Sequence, residues 1–250
     1  MTRSTRDQQA GAPHAPLLDY YPAPTARAGF VQGIFDRTAP SYDRINGVLS
    51  FGSGGWYRRR ALLRAGLKPG DRMLDVAVGT GLVAREALAI LGRPADVLGL
   101  DLSAGMLGEA RRALPIPLIQ SRAEELPLAD ASVDFVSMGY ALRHAADLGV
   151  LFAEFRRVLR PGGRVLVMEI GRPESRLGYA LVKAYVGRIV PALSRLLGED
   201  SRMLMRYYWD TIEACVPPAE ILWRLGEAGL EDVACETELG TFRAYMARRP

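Results

Sequence analysis

Residues 73–88 read MLDVAVGTGLVAREAL: an apolar run ends on an acid, passes through a glycine turn and continues with helical spacing. This commits the chain to a strand, a tight turn and a helix whose first N–H groups converge on one spot. The surrounding segments decide what that unit belongs to. "ADVLGLD" reads as a second strand, "IPLIQS" as a third, "SVDFVSMGYAL" as a fourth and "RVLVMEI" as a fifth. Helical signals lie between them, over 80–91, after a capping Ser103, and over 146–159, where Leu148, Leu151, Phe152, Phe155 and Val158 share a face. Strands alternating with helices predict a parallel sheet covered on both faces.

The flanks differ. Helices are expected at 29–37, at 41–49 with Ser41 as cap, and at 55–66. In the last third a long, mostly apolar helical segment over 175–197 carries Arg176, Lys183, Arg188 and Arg195. Helices at 201–213 and 219–229 follow, separated by Pro217 and Pro218. "DVACETELGTFRAYMAR" then reads as two strands turning at Gly240. The expected fold is a Rossmann-like α/β domain over 29–250. Its mostly parallel seven-stranded sheet ends in an antiparallel hairpin, and a helical lid spans about 173–215. Residues 1–28 are rich in Pro, Ala and polar residues, and are expected to be a disordered or loosely attached arm. They contain no apolar stretch of the kind a secretory leader carries.

Composition narrows the chemistry. Two cysteines, Cys215 and Cys235, and two histidines, His14 and His144, exclude a disulfide framework and a histidine-rich metal centre. No metal is expected, and a reducing, cytoplasmic setting is. No apolar run reaches the roughly 18 residues of a membrane span. Net charge is +4, and residues 1–70 hold ten basic against four acidic side chains. That surplus is either an ordinary solvated face or one that meets anionic lipid at the inner membrane face. No basic stripe interleaved with aromatics favours nucleic acid, so no nucleic-acid partner is expected.

The glycine turn is Asp75-x-Ala77-x-Gly79-Thr80-Gly81. A dinucleotide-binding turn needs a third glycine, where this sequence has Arg85, Glu86 and Ala87. Asp75 would repel a pyrophosphate but tolerate a cation. S-adenosylmethionine carries an ammonium and a sulfonium and no phosphate. The second strand ends on Asp101, placed to accept hydrogen bonds from ribose hydroxyls in either cofactor class. Leu102 and Met106 follow, the latter placed to lie on an adenine face or to fill the core.

Five parallel strands with a terminal hairpin resemble class I methyltransferases, and the motifs narrow the resemblance. "FDRTAPSYDRINGVLSFGSGGW", "ALRHA" and "RVLRPGGRVLVMEIG", in that order, are similar to the C-methyltransferase family of ubiquinone and menaquinone biosynthesis, from about Phe35 to the C-terminus, about 85% of the chain. The resemblance implies S-adenosylmethionine as cofactor, with contacts from Thr80, Asp101, Arg122 and Ala123, and Gly139 at the cofactor side of strand four. Tyr42 and Asn46 then belong to a helical lid, Tyr42 over the cofactor and Asn46 toward the acceptor. The implied acceptor is a demethyl-quinol. Another aromatic or lipid-like small molecule methylated at oxygen, nitrogen or carbon, or a homologue without activity, is the alternative. The departures bear on it: Leu82 replaces the family's acid, Arg122 and His144 replace asparagines, Gly139 and Gly171 replace serines, and the histidine before Trp56 is missing.

Arg143 and His144 follow strand four, where open α/β sheets place ligands. Arg143 is the candidate to hold a phenolate or to orient a water. His144, with an ordinary pKa near 6.5, is the candidate base. Tyr207 and Tyr208 are candidate walls for a flat ring. The apolar residues of 175–197 are candidates for a prenyl tunnel, buried core or dimer contacts, and its basic residues for peripheral membrane contact.

Overall fold

The computed structural model describes residues 11–50 and 52–250. Its strands are β1 (Met73–Val76), β2 (Val97–Asp101), β3 (Leu118–Gln120), β4 (Val133–Gly139), β5 (Leu159–Ile170), β6 (Glu231–Glu238) and β7 (Phe242–Arg248). They form one sheet in the order β3-β2-β1-β4-β5-β7-β6, with β1 to β5 parallel and β6 and β7 antiparallel. Strand order reverses between β1 and β4. The carboxyl ends of those strands therefore open a crevice there, where this architecture binds ligands.

Alternation along the strands builds two cores. Leu74, Val76 and Val136 face one side, with Phe152, Phe155 and Tyr245. Met73 and Phe135 face the other, with Leu62, Ala84 and Leu166. This is the two-residue period of a pleated sheet covered twice. The covering helices are α1 (Arg27–Ser50), α2 (Gly54–Arg64), α3 (Leu82–Leu91), α4 (Ala104–Ala113), α5 (Leu148–Val158), α6 (Arg176–Ala184), α7 (Val190–Ser194), α8 (Glu199–Ala214) and α9 (Pro218–Glu227). All five apolar residues expected on one face of α5 are buried. Ser103 caps α4 by accepting from the Met106 N–H. A third cluster joins α1 to the lid helices through Ile34, Ile45, Val186, Val190, Leu204 and Trp209.

Three expectations are corrected. The two helices at 29–37 and 41–49 are one, and Pro40 lies inside it. An interior proline costs about 3 kcal/mol. Burial of Ile34 and Ile45, both at 2% exposure or less, offsets this at roughly 1.5–3 kcal/mol each. Ser41 caps nothing; its hydroxyl meets the Thr38 carbonyl and Ser201. The segment 175–197 is not one regular helix. A π turn over Tyr185–Ile189 separates α6 from α7, and Pro191 follows it. Without an N–H, proline cannot bond the carbonyl four residues back, and the ladder widens upstream.

The third correction concerns the arm, of which residues 1–10 lie outside the described residues. Residues 11–28 are seated on the domain. The Leu148 N–H donates to the Gly11 carbonyl at 2.7 Å and the Val216 N–H to the Pro13 carbonyl at 2.8 Å. His14 and Tyr21 are buried, and the Tyr20 hydroxyl donates to the Asp210 carboxylate. The segment attaches through single side chains and single backbone bonds. It forms no amphipathic element, so it shows no periodicity.

Candidate active site

The β1–α3 loop is left-handed at three of five positions: Ala77 (φ 55°), Gly79 (φ 57°) and Gly81 (φ 91°). At Gly81 a Cβ would stand 2.7 Å from Leu114 Cδ1, so this glycine also serves packing. The loop is clamped by Asp101. Its carboxylate accepts the Gly79 N–H through Oδ2 and the Ser103 N–H through Oδ1, each at 2.8 Å.

Over the carboxyl ends of the strands lies a cavity of about 740 Å³. Ala77, Gly79, Asp101, Leu102 and Met106 line one side. Arg122, Ala123, Gly139, Tyr42 and His144 also line it, and His14, Pro24 and Arg27 of the arm and the start of α1 cover it. Three expected contacts sit behind the lining. Gly81 packs against Leu114. The Thr80 hydroxyl donates to Asp43 at 2.5 Å. Asp75, 1% exposed, takes the Ser137 hydroxyl at 2.5 Å, while its other oxygen has no partner among the described residues.

Burial raises both carboxyls at this end of the cavity, Asp101 on the lining to about 6 and Asp75 behind it to about 7. For Asp101 the N–H groups of Ser103 and Gly79 oppose the rise. Two acids that are costly to charge suit a cationic ligand and disfavour a pyrophosphate. Volume, loop and charge fit S-adenosylmethionine.

A second cavity, about 90 Å³, lies among α1, α2, α8 and the β6–β7 turn. Asn46, Trp56, Arg58 and Tyr208 line it, and Tyr42 and Tyr140 line both cavities. The two spaces therefore share an aromatic wall. Tyr140 holds φ 60°, a strained conformation for a bulky residue, at the end of β4. Of the three candidate acceptor residues, Asn46 and Tyr208 line this cavity. Tyr207 does not. It is fully buried, with Tyr20 and Phe30 rings each 5.1 Å away, and lines neither cavity, because its helix turns it toward the arm.

Arg143 is fully buried. Its Nε lies 3.0 Å from Glu169 Oε2, Nη1 donates to the Tyr208 carbonyl and Thr211 hydroxyl, and Nη2 donates to the Tyr140 carbonyl. These contacts tie the end of β4 to β5 and α8. His144 stacks on Tyr207 at 5.5 Å, and neither ring nitrogen has a partner among the described residues. Burial first, then Arg143 and Arg27, push its pKa well below 6.5. Burial and the two arginines thus favour the neutral ring, which weighs against a base titrating near neutrality. His144→Asn is therefore expected to leave the pH profile of turnover unchanged between about pH 6 and 8. A lost limb in that window would restore His144 as base.

Arg58, Tyr140 and the arm's cover are not legible in the sequence. Arg58 sits in "WYRRR", which reads as solvated charge. Its spacing to the buried Ala61 and Leu62 is the available signal, since residues three and four apart share a helix face.

The sheet order, the clamped glycine loop and the acidic end of the cavity define a class I, S-adenosylmethionine-dependent methyltransferase. The sequence model of the ubiE/COQ5 methyltransferase family matches residues 24–245, and the chain belongs to that family. It is 36% identical over 220 residues to the ubiquinone/menaquinone biosynthesis C-methyltransferase UbiE of Syntrophotalea carbinolica, covering 86% of this chain and 90% of the relative. It is 35% identical to a demethylmenaquinone methyltransferase of a Mycobacterium species, over 87% of this chain and 92% of the relative. Among solved structures, a Thermotoga maritima protein described as an S-adenosylmethionine-dependent methyltransferase, possible histamine N-methyltransferase, superposes with TM-score 0.63. It shares 22% identity, over 88% of this chain and 99% of that one. Haemonchus contortus phosphoethanolamine N-methyltransferase 2, in complex with S-adenosyl-L-methionine, superposes with TM-score 0.60. It shares 20% identity, over 86% of this chain and 57% of that one. These structural likenesses bear on the fold.

Proposed function

We propose that this protein methylates a ring carbon of a demethylated quinol of the menaquinone or ubiquinone type. The observation that carries this is the shared wall: a cavity with an acidic end abuts an aromatic-walled one at Tyr42 and Tyr140. The relatives' described activities agree with it.

In this reading Asp101 accepts the ribose hydroxyls, and Met106 and Ala123 flank the adenine. Arg122 closes the rim, and Asp75 supplies the negative field under the methionyl ammonium. When bound, S-adenosylmethionine would supply a sulfonium methyl: the C–S pair would stay on sulfur, the ring carbon's pair would form the new C–C bond, and the ring proton would pass to solvent. The protein's own task is alignment and exclusion of water, worth on the order of 7–11 kcal/mol when reacting atoms are held in line. Tyr42 and Tyr140 face both cavities, and burial raises both phenols far above their ordinary range, so they remain neutral. They wall the methyl path without placing a competing nucleophile beside it. The test is mass and fragment analysis after incubation with S-adenosylmethionine and a chemically reduced, short-tailed demethylmenaquinone. A ring-methylated product is expected. An O-methylated product, or none from protein that binds the cofactor, rejects this acceptor.

One further observation supports peripheral membrane contact. Residues 175–198 hold Arg176, Lys183, Arg188 and Arg195 and no acid. Leu177, Leu181, Ile189, Leu193 and Leu196 are exposed along the same segment. No helix among the described residues is long and apolar enough to cross a membrane. Lys183 and Arg195 pair with Glu213 and Glu199, which leaves Arg176 and Arg188, with the exposed apolar residues, to suit the headgroup region of an anionic bilayer, where each such basic residue contributes about 1 kcal/mol. The protein is expected to sediment with phosphatidylglycerol vesicles and not with phosphatidylcholine vesicles, and Leu177→Ser with Leu181→Ser to reduce this severalfold. Equal sedimentation of parent and variant rejects the contact. A parent dimer that the same variant dissociates assigns the face to a second copy instead.

A further inference from the structure

Arg58 and Arg143 are both buried, at 5% and 0% exposure, but their surroundings differ. Arg143 has a carboxylate and three further oxygen partners. Arg58 has one polar partner among the described residues: its Nη2 donates to Asn46 Oδ1 at 3.1 Å. Its Nε is buried without a partner among the described residues. The guanidinium carbon lies 5.5 Å from the centre of the Tyr140 ring. No described carboxylate lies within ion-pair distance of it. Glu238, also on the cavity lining, pairs with Arg64 and Arg60. Arg58 is the one cation among the described residues that line the smaller cavity.

An isolated buried cation is costly, and proteins retain one where an anion completes it. We infer that Arg58 holds the ionised ring oxygen of the acceptor, which makes the smaller cavity a site for an aryl oxyanion. This rests on the reading above that the acceptor is an aromatic hydroxyl compound. The placement serves the chemistry. A ring carbon beside an ionised oxygen is the better nucleophile, and Arg58 contacts Tyr140, one of the two residues shared with the cofactor cavity. A guanidinium remains charged and offers a fork of donors, so it stabilises the oxyanion without removing the proton itself. The proton passes to solvent as the acceptor ionises. Asn46 orients the fork from α1, which explains a polar side chain in an aromatic wall.

Other groups face the same space. Burial pushes Tyr57 up to about 12 and Tyr42, Tyr140 and Tyr208 above their ordinary value, so these phenols stay protonated at neutral pH. The rim, with Trp56 and Leu239 exposed, is open to a small phenol.

The probe is 4-nitrophenol, a single ring whose anion absorbs at longer wavelength than its neutral form, titrated with protein saturated in S-adenosylhomocysteine. In the parent, bound probe is expected to ionise at least one pH unit below free probe, a tenfold change in its acid constant. Arg58→Met should abolish the shift, and Arg58→Lys should keep part of it. Arg58→Gln, with a polar side chain of similar reach, serves if the methionine variant does not fold. Cofactor affinity, measured by calorimetry, should be unchanged in the variants, as Arg58 does not line the larger cavity. An equal shift in parent and charge-removed variants overturns the inference, as does failure of the parent to bind the probe. The two readings fail separately. If the demethyl-quinol is not methylated but the Arg58-dependent shift is present, the acceptor is wrong and the oxyanion site stands.

Discussion

Arg143→Met is expected to destabilise the protein by about 3–5 kcal/mol, the range for removing one partner of a buried ion pair. In a domain of this length each kcal/mol corresponds to about 2–4 °C of melting temperature, so the fall should be roughly 6–20 °C. The reason is Glu169. It is 3% exposed, lies 3.0 Å from the guanidinium and also accepts the Arg143 and Ile170 backbone N–H groups. With Arg143 gone it must ionise unpaired or take up a proton. Thr211 and the carbonyls of Tyr140 and Tyr208 lose a donor as well. Arg143→Met with Glu169→Leu should cost less than Arg143→Met alone, because no orphaned charge remains. Thermal melts by circular dichroism decide it. A single variant melting with the parent would show that the pair braces nothing, and would return Arg143 to the acceptor chemistry its position invites.

The contrast between the two arginines shows where the sequence stops being informative. Position in the sequence puts Arg143 at the end of β4, and that holds. Position cannot reveal Glu169 on β5 or the Tyr208 carbonyl and Thr211 hydroxyl of α8, which engage its donors. Those contacts span 26 to 68 residues and exist only once the sheet and lid are assembled. Arg58 fails in the opposite way. Three consecutive arginines look alike in sequence, but helical phase turns one of them inward. The strands, the glycine turn and Asp101 are legible because each is local: short apolar runs, a turn only small residues can make, and an acid at a strand end. Pro40 misleads for a related reason. A local rule against interior proline is outweighed by burial supplied from α8 and the sheet. The arm misleads because a segment that borrows the domain's core shows no periodicity of its own.

The cofactor site carries the second large effect. Asp101→Ala is expected to weaken S-adenosylmethionine binding by at least roughly 1.5–3 kcal/mol, about ten- to 150-fold, the range for hydrogen bonds to a charged acceptor. The loss should exceed that of Met106→Ala, since Asp101 also fixes the loop through Gly79 and Ser103. The pH dependence follows from the two raised carboxyls. In the folded protein Asp75 titrates at about 7 and Asp101 at about 6, whereas an unfolded aspartate titrates near 3.9. Between about pH 4 and 7 the folded state thus binds more protons than the unfolded one. Its stability without ligand should fall as pH rises through that window. Ligand binding has the opposite slope. A cationic methionyl group and donating ribose hydroxyls favour the ionised carboxyls, so binding expels protons. Affinity measured by calorimetry should rise from pH 5 to about 7.5 and then level. Asp75→Asn should remove the upper part of that rise and, in the ligand-free protein, much of the stability loss near pH 7. Affinity that is flat with pH in the parent would mean that neither carboxyl changes charge on binding. The acidic end would then be a packing feature, and the preference for a cationic cofactor would have to arise elsewhere in the cavity.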